Sequence, residues 1–104
     1  MTYEEKIKTL SNVACNVLPA DAEAWLFGSQ ARGTARTDSD WDILVLLNKD
    51  KILHTDFDKY AYPFVKTGWD IDAMVAPILL TKKDWDASKF TPFYKNVTND
   101  RIAL

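Results

Sequence analysis

Near the start of the chain, apolar residues recur at steps of three and four: Ile7, Leu10, Ala14, Val17 and Leu18. That period places them on one face of a helix. Thr2 and Glu5 stand at capping-box spacing before it, and Pro19 ends it. Ala24-Trp25-Leu26-Phe27 is a short apolar run, predicted as a strand that stops at Gly28. Residues 28–39 hold almost nothing large and apolar, and suggest a turn, one or two helical turns from Ser29, and a loop. Asp40 to Leu47 starts polar and becomes continuously apolar, the pattern of a strand covered on both faces. Leu53, Phe57, Tyr60, Ala61 and Phe64 return to helical spacing, which predicts a helix from Lys51 to about Val65, bent near Pro63 and closed by Gly68. Trp69 to Ala76 is predicted as a third strand. Thr91-Pro92 marks a last helix, with proline in its first turn and Phe93, Val97 and Ile102 toward the core. The order α-β-α-β-α-β-α predicts an α/β (α+β) fold: a small mixed sheet of three or more strands with helices packed on it, in one domain over residues 1–104.

The totals narrow the function classes. The 104 residues carry 13 basic and 15 acidic side chains, a net charge of −2. Proteins that hold long nucleic acid by its phosphates usually present a net basic surface, so a polynucleotide is not the expected partner. Cys15 is the one cysteine, which excludes an internal disulfide and a cysteine metal cluster, and its helical position predicts a packed thiol. No apolar run is long enough to span a bilayer, and the charged start lacks a signal-peptide core; the expectation is a cytoplasmic protein.

Three local features carry chemistry. Gly28-Ser29 follows a strand, where glycine permits close approach and a helix start offers free N–H groups to a phosphate. Asp40-Trp41-Asp42 opens the central strand, so side-chain alternation puts both carboxylates on one face and Trp41 on the other. Two such charges about 4 Å apart repel by about 4 kcal/mol at an effective dielectric near 20. A divalent cation relieves that, and Mg²⁺ favours one or two carboxylates together with substrate phosphates. Asp70-Ile71-Asp72 is a second aspartate pair, predicted on the third strand, and adjacent strands would make the two pairs converge.

Phe27-Gly28-Ser29, ten intervening residues, then Asp40-Trp41-Asp42 and Ile43-Leu44-Val45 resemble the signature of the DNA polymerase beta-like nucleotidyltransferase superfamily. Ile71-Asp72-Ala73 is similar to its third carboxylate element. The wording of residues 28–33 and the short length resemble the minimal nucleotidyltransferases of bacteria and archaea. The resemblance covers roughly Trp25 to Ala76, with a looser likeness from Asn96 to Leu104. It implies Asp40, Asp42 and Asp72 as catalytic residues and ligands of Mg²⁺, with Asp72 helping to deprotonate the acceptor. It implies Gly28 and Ser29 as holders of the triphosphate. Arg32 and Arg36 would neutralise phosphate charge, although Arg32 could equally pack beside Gly33. Asp70 has no place in the family pattern and is expected to face water.

The implied activity is transfer of a nucleoside monophosphate, AMP from ATP, to an acceptor hydroxyl. Minimal members often pair with a small helical HEPN toxin and modify one of its tyrosines, so a HEPN protein is the implied partner and the chain its antitoxin. Two alternatives stand beside this: a catalytically silent subunit that neutralises a helical partner by contact, and transfer to a small molecule. Of the remaining residues, His54 reads as structural and Lys82-Lys83-Asp84 as a solvated turn. Trp25, Trp41 and Trp69 read as core, and Trp85 as an exposed residue suited to a partner surface.

Overall fold

The computed structural model describes residues 1–36 and 38–104. The loop expected around Thr37 therefore includes one position outside the described residues. Helix α1 spans Tyr3–Val17. The expected capping box forms: Thr2 Oγ1 accepts from the Glu5 amide (3.1 Å), and Glu5 Oε1 accepts from the Thr2 amide (3.0 Å). Strand β1 (Glu23–Phe27) leads into a four-residue helix α2 (Ser29–Arg32). Strand β2 is Trp41–Leu47. Then come a short helix α3 (His54–Asp56), a π-helical turn (Phe57–Ala61) and helix α4 (Tyr62–Asp70). Strand β3 (Val75–Thr81), helices α5 (Lys82–Ala87) and α6 (Pro92–Asp100), and a two-residue strand β4 (Ile102–Ala103) complete the chain.

The sheet order is β3-β2-β1-β4, with β2–β3 parallel and the other pairs antiparallel. The mixed sheet with helices packed on it matches the expected fold class. Strand β2 lies inside the sheet, and alternation sends its side chains into two separate cores. Trp41, Ile43, Val45 and Leu47 pack with Leu10 of α1 and Phe64 of α4. Leu44 and Leu46 pack on the other face with Trp25, Trp85 of α5 and Val97 of α6. Fully burying a leucine side chain contributes about 1.5–3 kcal/mol, so Ile43 through Leu47, at most 2% exposed, anchor β2 firmly.

Several expected elements move. The third strand begins at Val75, six residues later than the sequence pattern places it. Asp70 instead ends α4, and Asp72 sits in the following turn with φ +56°. Gly68 lies inside α4 and does not terminate it; a Cβ there would meet the Ala73 carbonyl oxygen and the Val75 side chain. Pro63 stands just after the π-helical turn, at the second residue of α4. Pro77 falls within β3. The parallel register Trp41↔Val75 and the bond from the Trp41 amide to the Met74 carbonyl (2.8 Å) turn the backbone polar groups of residues 74, 76 and 78 toward β2. Residue 77 then points its backbone to the open edge, where proline removes a donor that would invite edge pairing.

Lys82–Ala87 is a helix and not a solvated turn, because Thr81 Oγ1 caps it by accepting from the Asp84 amide (3.0 Å). Trp85 is buried, edge-on to Trp25 at 5.5 Å and stacked on Tyr94 at 4.3 Å. Trp69 is 61% exposed, since it lies on α4 and not on a strand. Cys15 is exposed, because the buried stripe of α1 is centred on Leu10 and Ala14. Among the described residues no helix is long and apolar enough to cross a membrane.

Candidate functional site

The corner between β1 and α2 is built around Gly28. Its φ of +77° lies where side chains are rarely tolerated. A Cβ at Gly28 would also land on the Asp42 Oδ2 atom. Cross-strand pairing explains the closeness: Phe27 is opposite Asp42 in the β1–β2 ladder, so the chain turns at Gly28 over the aspartate. Glycine is required here twice over, by backbone conformation and by space. The expected helix from Ser29 forms, and it is fixed from two sides. The Tyr3 hydroxyl of α1 donates to the Gln30 carbonyl (2.6 Å), and buried Gln30 donates through Nε2 to the Ser39 carbonyl (3.2 Å). Gln30 and Tyr3 thus tie α2 to the segment before Asp40. Neither stands out in the sequence, where each looks like an ordinary helix residue.

Asp40 and Asp42 are brought together. The Asp42 carboxyl is pushed above its ordinary pKa, first by burial and next by the negative charge of Asp40; Arg32 pulls it part of the way back. Arg32 Nη1 also makes a 2.6 Å ion pair with Asp100 Oδ2 at the end of α6. Arg32 is thus paired with Asp100 while its charge reaches Asp42, a contact that neither expected role included. Asp100 carries no warning in the sequence, because the partner is 68 positions away.

Two other expected residues line neighbouring hollows. Asp72 borders a hollow of about 320 Å³ with Trp41, Trp69 and Met74. Its carbonyl accepts from Lys6 Nζ (3.2 Å). Arg36 borders a second hollow with Lys6, Trp41 and Asp72. Both residues therefore keep company with Trp41, whose side chain alternation turns away from Asp42. Among the described residues, no three histidine, cysteine or acidic side chains group together as a metal site. Asp72 itself lies in the turn between α4 and β3, outside the strand ladder that carries Asp42.

The donor set still fits a divalent cation that arrives with a triphosphate. Two hard carboxylates beside a glycine corner match the demand of Mg²⁺ for one or two carboxylates plus substrate phosphates. The raised pKa of Asp42 marks a carboxylate whose local charge is left unbalanced, which a cation would correct.

Known structures share this fold. A crystal structure of a toxin–antitoxin with AMP-PNP superimposes with a TM-score of 0.61 at 24% identity, covering 96% of this chain and 70% of that one. A mutant of the toxin–antitoxin MntA–HpeT, with two aspartates changed to glutamate, gives a TM-score of 0.61 at 21% identity, covering 99% and 72%. A Sulfolobus solfataricus protein described as a nucleotidyltransferase gives 0.59 at 23% identity, covering 96% and 82%. At these identities the likeness concerns the fold. No curated protein matches the chain at a significant level. The family model for the nucleotidyltransferase domain matches residues 7–103. That match takes in the sheet, the glycine corner and both Asp40 and Asp42, and by it the chain belongs to the nucleotidyltransferase domain family.

Proposed function

We propose that this chain binds ATP with Mg²⁺ at the Gly28–Asp42 corner and transfers AMP to a hydroxyl of a protein partner, a tyrosine of a small helical HEPN toxin, so that it acts as the antitoxin. The observation that carries the reading is the Asp42 carboxylate pressed against Gly28 with Asp40 beside it. Family membership supports the reaction class, and the toxin–antitoxin assignments of two neighbours, one holding AMP-PNP, support the partner and the nucleotide. A cytoplasmic setting goes with this reading, since the lone cysteine calls for no oxidising compartment.

Each residue has a stated part. Gly28 clears space for a phosphate at the corner, and Ser29 offers its amide and hydroxyl there. Asp40 and Asp42 would hold the cation, which would supply charge neutralisation for the triphosphate and the departing pyrophosphate. Arg32 faces the same charge from the α6 side and can exchange Asp100 for a phosphate oxygen. Positioning and charge neutralisation supply most of the catalysis in phosphoryl transfers. The test is incubation with α-labelled ATP, Mg²⁺ and the cognate helical partner. Label on the partner, lost in Asp42→Asn, is the expected result; an unlabelled partner contradicts it.

Among the described residues no three histidine, cysteine or acidic side chains group as a metal site, and that favours a second reading, a subunit that binds nucleotide and neutralises its partner by contact. Rescue from toxicity by a chain with both Asp40 and Asp42 replaced by Asn would select that reading over transfer.

A further inference from the structure

A hollow of about 340 Å³ lies between α1 and the loop after α2, with Tyr3, Lys6, Gln30, Arg36, Trp41 and Asp72 in its walls. Hydrogen bonds set its shape. The Tyr3 hydroxyl holds the Gln30 carbonyl, and Gln30 Nε2 holds the Ser39 carbonyl. The Arg36 amide donates to Ser39 Oγ (2.9 Å), and the Ser39 amide donates back to the Arg36 carbonyl (3.0 Å). This chain of bonds fixes the backbone of Arg36, an exposed loop residue, relative to α1. Tyr3 and Lys6 are three positions apart on α1 and share its face. Lys6 Nζ stands 6.0 Å from the centre of the Trp41 ring, and the Tyr3 ring lies 5.5 Å from the same centre.

Three basic side chains elsewhere are matched to acids: Arg32 to Asp100, Lys49 to Asp56 and Lys82 to Glu23. Among the described residues, Lys6 and Arg36 have no such partner. Asp72 lines the same hollow, yet Lys6 donates to its backbone carbonyl (3.2 Å) and is not paired with its carboxylate. An unpaired lysine is ordinary on a surface. Here two cations from separate elements meet over one hollow whose walls are already fixed, and such a place attracts an anion. A guanidinium presents forked donors that match phosphate oxygens, and an ammonium adds a compact charge.

We infer that this hollow is a phosphate site, in which Lys6 and Arg36 bind the oxygens of one phosphate group. It adjoins the glycine corner through α2, where Gln30 follows Ser29. Two sources have that chemistry. One is the terminal phosphates of a triphosphate held at the corner, which rests on the nucleotide reading given above. The other is a separate phosphate-bearing molecule, which does not.

Calorimetry on the whole chain tests the site, with inorganic pyrophosphate, AMP-PNP with Mg²⁺, and AMP as probes. Lys6→Gln and Arg36→Gln each remove one charge and keep a polar side chain. Lys8→Gln removes the same charge from an exposed position of α1 outside the hollow. Pyrophosphate is expected to bind wild type. Each of the first two variants should weaken it about tenfold or more, the range for charged hydrogen bonds, with Lys8→Gln unchanged. If the phosphate is the nucleotide's own, both variants also weaken AMP-PNP and leave AMP unaffected. If it is separate, AMP-PNP affinity is unchanged, and pyrophosphate still binds through Lys6 to the chain saturated with AMP-PNP. Affinities for pyrophosphate and AMP-PNP that neither variant alters, or that Lys8→Gln weakens equally, would overturn the inference; Mg²⁺-dependent binding of AMP-PNP in that case leaves the nucleotide reading standing. A wild type that binds pyrophosphate through Lys6 but does not bind AMP-PNP would overturn the nucleotide reading and leave the phosphate site.

Discussion

Two aspartates, Asp42 at the start of β2 and Asp56 in α3 beyond its end, are treated in opposite ways. Beyond its C-terminal end, Asp56 accepts from Lys49 Nζ and from the Leu53 amide, each at 2.7 Å, and these contacts hold its carboxyl below the usual carboxylate range. At the N-terminal end, Asp42 is pushed above its ordinary value by burial and by Asp40, with only partial relief from Arg32. One carboxylate has its partners inside the fold. The other is kept near a like charge and under a glycine corner, an arrangement that makes sense when the partner comes from outside. A chain selected only for stability would have no reason to keep Asp42.

Exchanging these carboxylates for neutral groups should separate the two ends. Asp42→Asn is expected to have the largest effect, a loss of labelling of about 10³-fold or more, in the range of removing a main electrostatic stabiliser. The same variant should melt at a higher temperature than wild type at neutral pH. Because the folded-state pKa of Asp42 is raised, its stabilising contribution is present below the ordinary carboxylate value and disappears as pH rises through the folded value. The advantage of the Asn variant should therefore grow with pH across that interval and vanish in acid. Thermal melts of both proteins from acid to neutral pH check this.

Gly28→Ala comes next. Left-handed strain costs about 1–3 kcal/mol, and the added methyl displaces Asp42, so calorimetry should show both lower stability and weaker nucleotide binding. Asp56→Asn is expected to lower the melting temperature while leaving nucleotide affinity unchanged. Its pH profile should mirror that of Asp42: the lowered pKa means stability that is present above the ordinary value and lost as pH falls through the folded one, so the deficit disappears in acid. The smallest effect belongs to Asp100→Asn. The Arg32 side chain is half exposed, and exposed ion pairs contribute about 0–1 kcal/mol, so urea melts should shift by no more than that.

The two strands that frame the site, and the glycine between them, were legible because several signals coincided there. Apolar runs, a turn residue and acids at strand parity all pointed one way. The region after Gly68 was not legible, for reasons that can be named. A glycine inside a helix looks like a stop, yet Gly68 is there because the returning chain at Ala73 and Val75 presses on α4. Asp72 in a left-handed turn breaks the alternation that would have put it on the strand. Pro77 reads as a strand end, but an edge strand tolerates it. Those three effects together moved the start of β3 by six residues and put Asp72 in the turn before it. Trp85 looked exposed among charged neighbours, but the cap at Thr81 makes its segment a helix that turns the ring inward. Asp100 and Gln30 were invisible because their partners are set by tertiary contact and not by local pattern.

The central claim is that the strained acidic corner at Gly28, Asp40 and Asp42 exists to hold a nucleotide through a cation. Calorimetric titration of AMP-PNP into the chain, with Mg²⁺ and with a chelator, tests it most directly. The account requires binding that depends on Mg²⁺ and is lost in Asp42→Asn. Equal affinity with and without the metal, or in wild type and the Asn variant, would contradict it.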